Sequence, residues 1–244
     1  MKKKLTILST KQITIGNKWR PRIDRKTKLI ITPPKISKEL RDVIHGYIMS
    51  DGYVSPEGSL TVDQCLKQGK FTEWLFNLLT PLLTKDQKIS TCSRINQKTN
   101  ILTYSKRFNT RNLLKGFRHM WYEIYIDEQG KTCYRKKLPK TLDAFFNPTF
   151  ISIWFAGNGT KMLDQRGAKF EVTSLNPTQR ERLKKLFKTK FDINPIINRA
   201  GVSITGTTQW SLSILAEDYE KFRTIITKTE LIPSLFPHKL CSHA

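Results

Sequence analysis

Two segments of the chain set apolar residues at helical spacing and then stop on a polar residue followed by glycine. In the first, Leu40, Val43, Ile44, Tyr47 and Ile48 recur at i, i+3, i+4, i+7 and i+8, one buried stripe, and Ser37 is placed to cap its start. It ends on Asp51-Gly52. In the second, Asn147 caps and Pro148 takes the first helical position, where its missing N–H does no harm; the segment ends on Asn158-Gly159. Each closing glycine is expected to adopt the left-handed conformation that terminates a helix. Small residues on both, Gly46 and Ser50 against Ser152 and Ala156, predict that the two helices pack on each other.

The pattern between them repeats. Tyr53 to Lys67 alternates and turns at Pro56-Glu57-Gly58, as a hairpin does, and Phe71, Trp74, Leu75, Leu78 and Leu79 mark a helix through Leu83. A second hairpin is expected over Ile89 to Thr103 around Asn96–Asn100, then a helix from Thr110 to Tyr122 and a turn at Gln129-Gly130. After the second motif come a strand at Phe170–Ser174, a helix capped by Asn176-Pro177 and running to Phe191, strands over Ile196–Ile214 broken by Gly201 and Gly206, and a helix from Tyr219 to Thr227. The order is αββαββα twice, an α/β (α+β) fold of two pseudo-symmetric repeats. The expected units are a basic extension at 1–36, a first repeat at 37–135 and a second at 136–244.

Charge narrows the partners. Lys and Arg number 43 against 20 Asp and Glu, a net charge of +23 in 244 residues. Solubility needs far less, so a polyanion is expected, because phosphate neutralisation releases counterions. Much of the excess lies in the first 35 residues, including Lys2, Lys3, Lys4, Lys18, Arg20, Arg22, Arg25 and Lys26. This segment reads as a nucleic-acid-binding arm, with a transit peptide and an inert extension as the alternatives. The cysteines, Cys65, Cys92, Cys133 and Cys241, are scattered without metal-ligand spacing, which argues against zinc and for a reducing compartment. No apolar run approaches the ~18 residues of a membrane span, so a soluble protein with no membrane partner is expected.

Asp51 is misplaced for stability alone: a carboxylate at the negative end of a helix dipole is disfavoured by about 0.3–1 kcal/mol. A cation beside it resolves the tension; an ordinary solvated helix-end acid is the plain alternative. Asn158 carries no charge and no such tension.

HGYIMSDG and SIWFAGNG resemble the paired signatures of the LAGLIDADG homing endonucleases in their single-chain form. The segment Asp63-Gln64-Cys65-Leu66-Lys67-Gln68 is similar to the stretch that follows the family's first motif. Arg135-Lys136-Lys137-Leu138-Pro139 is similar to the lead-in to the second, and Ile232-Pro233-Ser234 with His238-Lys239-Leu240 to the family's close. The resemblance spans about residues 37–240. It implies two saddle-shaped antiparallel sheets over a duplex major groove, and Mg²⁺ held by the last acid of each motif, one per strand cut.

On that resemblance Asp51 is the metal ligand and Asn158 a degenerate partner, while Gln64, Lys136 and Lys239 match residues that support cleavage. Lys136 and Lys239 read equally as plain phosphate contacts, and Gln64 and Lys67 as an exposed strand face or as substrate contacts. Asn158, with Val172-Thr173-Ser174-Leu175 where the family often carries a glutamine, points to a decayed second site. The expectation is a nucleic-acid binder whose double-strand cleavage is lost, a monomer with internal two-fold symmetry. Structured RNA is the preferred partner, in a splicing or ribosomal ribonucleoprotein of an organelle, the mitochondrion ahead of the chloroplast. The alternative is an active Mg²⁺-dependent endonuclease or nickase on double-stranded DNA.

Overall fold

The computed structural model describes residues 22–23, 30–31, 34, 36–96, 100–163, 166–204 and 206–241. In chain order the elements are β1 (Arg22–Ile23), β2 (Ile30–Ile31), α1 (Lys38–Met49), β3 (Tyr53–Val54), β4 (Leu60–Cys65), α2 (Gly69–Leu79), β5 (Ser90–Asn96), β6 (Ile101–Asn109) and α3 (Lys115–Trp121). There follow β7 (Tyr122–Ile126), β8 (Thr132–Lys136), α4 (Pro148–Asn158), β9 (Gly159–Lys161), β10 (Ala168–Glu171), α5 (Pro177–Phe191), β11 (Ile196–Val202), β12 (Thr208–Ile214), α6 (Ala216–Ile226) and α7 (Leu231–Leu235). From α1 to α3 and from α4 to α6 the order is αββαββα. The two four-stranded antiparallel sheets, β3-β4-β6-β5 and β9-β10-β12-β11, also share one topology.

Capping decides where the motif helices begin. Ser37 Oγ accepts from the Leu40 N–H at 3.1 Å, and Asn147 Oδ1 from the Phe150 N–H at 3.1 Å. Asn147 also donates through Nδ2 to Asp42 Oδ2 at 2.8 Å, which ties the start of α4 to the first turn of α1. The helices lie so close that a Cβ on Gly46 would stand 2.7 Å from the Phe150 carbonyl oxygen and 2.8 Å from Ile153 Cβ. At the far end a Cβ on Gly157 would stand 2.6 Å from Ser50 Cβ. Gly46 and Ser50 therefore face α4 as expected, but Ser152 does not face back: its hydroxyl donates to the Ile226 carbonyl of α6. The partner of Ser50 is Gly157.

The closing glycines also differ from expectation. Gly159 is extended (φ −91°, ψ 152°), and among the described residues the glycines with positive φ are Gly58, Gly130, Gly201 and Gly206, all in turns or at a bulge, so Gly52 is not left-handed either. Both are required to be small instead. A Cβ would meet the Tyr47 ring and carbonyl at 2.8 Å from Gly52, and the Phe155 ring at 1.9 Å from Gly159.

Three further departures have local causes. The helix expected from Thr110 begins only at Lys115, because the preceding backbone is bound elsewhere: Thr110 N–H to Leu60 O, Arg111 N–H to Leu82 O and Leu114 N–H to Gly58 O. Lys67, placed on a strand by its alternation, lies in a 3-10 turn, Leu66–Gln68. The β7–β8 hairpin was expected only as a turn. Its strands are not half-buried, Ile124 and Ile126 being 66% and 71% exposed, so no alternation marks it. It is anchored through Arg118, whose guanidinium carbon lies 3.9 Å from the Tyr122 ring centroid and 4.4 Å from that of Tyr134.

One continuous core runs through both halves along the motif helices, with Tyr47, Ile48, Phe150, Ile151, Trp154 and Phe155 essentially inaccessible. No helix among the described residues is long and apolar enough to cross a membrane.

Candidate functional site

The ends of α1 and α4 meet at one point on the pseudo-two-fold axis, with Asp51 one residue past the cap of α1 and Asn158 the last residue of α4. Asp51 Oδ2 accepts from Gln64 Nε2 at 2.9 Å, and that nitrogen also donates to the Tyr47 hydroxyl at 3.2 Å. Gln64 is thus not on an exposed strand face. In β4 the residues Leu60, Val62 and Gln64 point into the protein, and Gln64 is buried with its amide aimed at the helix end. Tyr47 sits on the core stripe of α1; burial pushes its hydroxyl pKa up, which keeps it a neutral hydrogen-bonding group.

The second half lacks this arrangement. Phe170 pairs with Leu212 as Val62 pairs with Phe108, and two residues on the Val172 N–H donates to the Trp210 carbonyl, in the register that Gln64 shares with Lys106. Val172 therefore occupies the place of Gln64, fully buried and apolar. The Asn158 side chain makes no hydrogen bond among the described residues.

Two lysines complete the centre, Lys136 half-buried and Lys239 buried. Lys136, at the end of β8, donates to the Ser50 carbonyl at 2.9 Å. Burial brings its pKa down to about 8, opposed by the attraction of Asp51 and Glu171. Lys239 reaches α4 and donates to the carbonyls of Phe155, Ala156 and Gly159 at 3.1, 2.6 and 2.7 Å. Its pKa also falls to about 8 through burial, against the pull of Asp51. Both amines sit at helix ends, Lys136 on the cap carbonyl of α1 and Lys239 on the Ala156 carbonyl in the last turn of α4 and the Gly159 carbonyl just beyond it, sharing that of Phe155 with the Gly159 N–H.

The structure thus brings together Asp51, Gln64, Lys136, Lys239 and Asn158. Lys67 is exposed and stands apart from them. The arm residues Lys2, Lys3, Lys4, Lys18, Arg20, Arg25 and Lys26 lie outside the described residues, as does the side chain of Arg22. Sequence reasoning passed over Tyr47, Gly157 and Glu171. Gly157 could have been found as the small residue nearest the end of α4, whereas Tyr47 was masked by its place in a hydrophobic stripe.

Outside the centre, one face of the first sheet is polar. Asp63, Arg94, Ser105 and Arg107 all point to that side, and Arg94 pairs with Asp63 across it. In the second sheet Lys169, Glu171 and Asn198 hold corresponding places. Polar side chains on two antiparallel sheets flanking a helix-end centre, in a chain of net charge +23, define a pseudo-symmetric nucleic-acid-binding protein.

The model of the LAGLIDADG DNA endonuclease family matches residues 41–222, and the chain belongs to that family. No curated protein matches it. Among solved structures, the homing endonuclease I-WcaI bound to its DNA recognition sequence is similar at 16% identity and a TM-score of 0.66, over 86% of this chain and 88% of that one. Mesophilic variants of the homing endonuclease I-DmoI match at 14% identity, TM-score 0.48, over 79% and 97% of the two chains. I-DmoI in complex with DNA and Mn matches at 13% identity, TM-score 0.45, over 77% and 98%.

Proposed function

We propose that this protein binds nucleic acid in the manner of its family but no longer cuts both strands. The observation that carries this is the asymmetry across the helix pair: Asp51 buttressed by Gln64 on one side, Asn158 with apolar Val172 at the position equivalent to Gln64 on the other. Magnesium accepts one or two carboxylates and completes its shell with water and substrate phosphates. The donor set on the Asp51 side suits it on those terms. Each side has its lysine, Lys136 or Lys239, so the difference lies in the ligand: on the other side a neutral amide, Asn158, stands where a carboxylate is needed. Among the described residues no group of three or more His, Cys, Asp or Glu forms a ready-made cage, so the ion depends on the bound strand for ligands.

Asp51, oriented by Gln64, would hold a magnesium ion, which would supply Lewis-acid stabilisation and activation of water. The chain's own contribution is positional and electrostatic. Gln64 fixes the Asp51 carboxylate, Tyr47 holds the other end of that link, and Lys136 places positive charge beside the strand nearest Ser50. With a pKa of about 8, Lys136 is mostly charged at neutral pH and can shed its proton in mild alkali. One strand is the most this centre can address.

The test uses duplexes selected for binding from a randomised library, cloned into supercoiled plasmid and incubated with the protein and Mg²⁺. Intact or singly nicked plasmid supports the proposal; linear plasmid overturns it. RNA as the resident partner is a second reading, favoured by a basic excess, 43 Lys and Arg against 20 Asp and Glu, that a polyanion of either kind would satisfy.

A further inference from the structure

We propose that Cys65 is a modification site: its thiol, on the polar face of the first sheet, forms a mixed disulfide with an anionic low-molecular-weight thiol of the glutathione class, and the adduct closes that face to nucleic acid. The inference rests on the nucleic-acid reading of the face and adds its regulation. Strands β4, β6 and β5 lie side by side, and Cys65 and Cys92 are both in register with Ser105, one from each flank. Directly opposed residues share a face of a sheet, so two cysteines scattered in the sequence stand in one row, with Asp63, Arg94 and Arg107 around them. Cys65 is exposed and Cys92 half-buried.

Neither the fold nor contact with nucleic acid accounts for this row. The second sheet has the same topology, and its strands β9, β10, β11 and β12 contain no cysteine. Bases and phosphates are bound through strong donors and acceptors, and a thiol is a weak one. What the row does adjoin is a cavity of about 300 Å³, lined by Asp63, Cys65, Arg94, Thr103, Tyr104 and Ser105. That volume suits a small ligand. The Ser105 hydroxyl between the two thiols is shut off from water and has no hydrogen-bond partner among the described residues, so a polar ligand atom entering there would satisfy it. Charge selects the ligand's sign. Arg94 neutralises Asp63, while Arg107 forms no ion pair among the described residues, which leaves a surplus cation for a carboxylate.

The two thiols cannot pair with each other. They stand two strand spacings apart, about 9.5 Å, whereas a disulfide needs Cα atoms within about 7 Å. Cys65 therefore reacts with an outside disulfide. Its thiolate attacks one sulfur of the oxidised ligand, whose S–S bond breaks as the new Sγ–S bond forms, and the departing thiolate takes up the proton that Cys65 gave up. Exchange with a further free thiol reverses the step. While in place, the adduct fills the cavity and sets negative charge where a phosphate backbone has to approach.

The experiment treats the reduced full chain with oxidised glutathione and, in parallel, with cystamine, a cationic disulfide, and reads the site and rate of adduct formation by peptide mass. Affinity for duplexes selected from the randomised library is titrated before treatment, after it, and after reduction. Oxidised glutathione should modify Cys65 roughly tenfold faster than Cys133, whose thiol donates to the Asp127 carboxylate. Duplex affinity should fall by roughly tenfold or more and return on reduction. Arg94→Gln should abolish the preference of Cys65 for oxidised glutathione over cystamine, and Cys65→Ser should show one duplex affinity before and after treatment. Modification of Cys65 no faster than that of Cys133, equal rates with the two disulfides in the wild type, or unchanged duplex affinity once Cys65 is modified would each overturn the proposal. The adduct is read without nucleic acid, so its failure to form strikes this inference alone, whereas reduced protein with no duplex affinity overturns the nucleic-acid reading and the regulation built on it.

Discussion

Lys239 gives the sharpest test of the helix-end centre, because one atom closes α4 and its charge is held at a cost. The side chain is 8% exposed, and its pKa falls from an ordinary 10.5 to about 8 through burial. Holding the ammonium charged at neutral pH therefore costs about 3 kcal/mol relative to the unfolded chain. Three carbonyl contacts offset that cost, and removing the donor strands the Ala156 and Gly159 carbonyls, at about 1–3 kcal/mol each where water cannot reach them, while the Phe155 carbonyl keeps the Gly159 N–H. Lys239→Met, close in length and without the amine, should thus destabilise the protein by about 2–4 kcal/mol at pH 7.

The pH dependence separates this account from simple loss of packing. A lysine whose pKa is lower folded than unfolded is released from its penalty as pH rises from about 8 toward 10.5, since the unfolded chain then binds more protons than the folded one. Between pH 7 and pH 9.5 the wild type should gain about 2 kcal/mol relative to the methionine variant. Urea unfolding of both proteins at the two pH values measures this directly as a change in midpoint difference. A difference that is flat with pH, or shrinks, would show that the Lys239 amine is not held as the geometry requires.

Further outcomes follow from the same contacts. Gly46→Val drives a side chain into the Phe150 carbonyl and Ile153, so overpacking of about 1–3 kcal/mol is expected, read as a melting temperature lower by roughly 2–4 °C per kcal/mol. Gln64→Leu removes the link between Tyr47 and Asp51; a loss of about 1–2 kcal/mol in urea unfolding and weaker Mn²⁺ binding by titration calorimetry are expected, and unchanged metal affinity would show that Gln64 does not position Asp51. Asn158→Asp alone should raise Mn²⁺ stoichiometry without linearising plasmid, whereas Asn158→Asp with Val172→Gln should do both. Linearisation by the single variant would mean that the glutamine position is dispensable.

How far the sequence determines this protein depends on whether the decisive physics is local. Asn176 and Pro177 specify the start of α5 by themselves, and its capping box forms with Gln179, because a cap needs only its own first turn. The paired motif helices, the two hairpins of the first repeat and the strands over Ile196–Ile214 were legible for the same reason, from periodicity and punctuation, whereas β9 was too short to mark itself; Asp51 and Asn158 stood out through the charge at a helix end and the family resemblance. The inward placement of Gln64, Lys136 and Lys239 was not, since each draws its partner from a remote segment: Lys136 meets Ser50 and Lys239 the end of α4 across more than 80 residues of chain. The β7–β8 hairpin escaped for a different reason. It is stabilised by a guanidinium between tyrosines rather than by a buried stripe, so it has no hydrophobic signature to read. The start and length of α5 were legible from its own residues, but which face of the second sheet it covers was not, because that is decided by Phe187 packing on Phe170, a contact between segments that only the folded chain brings together.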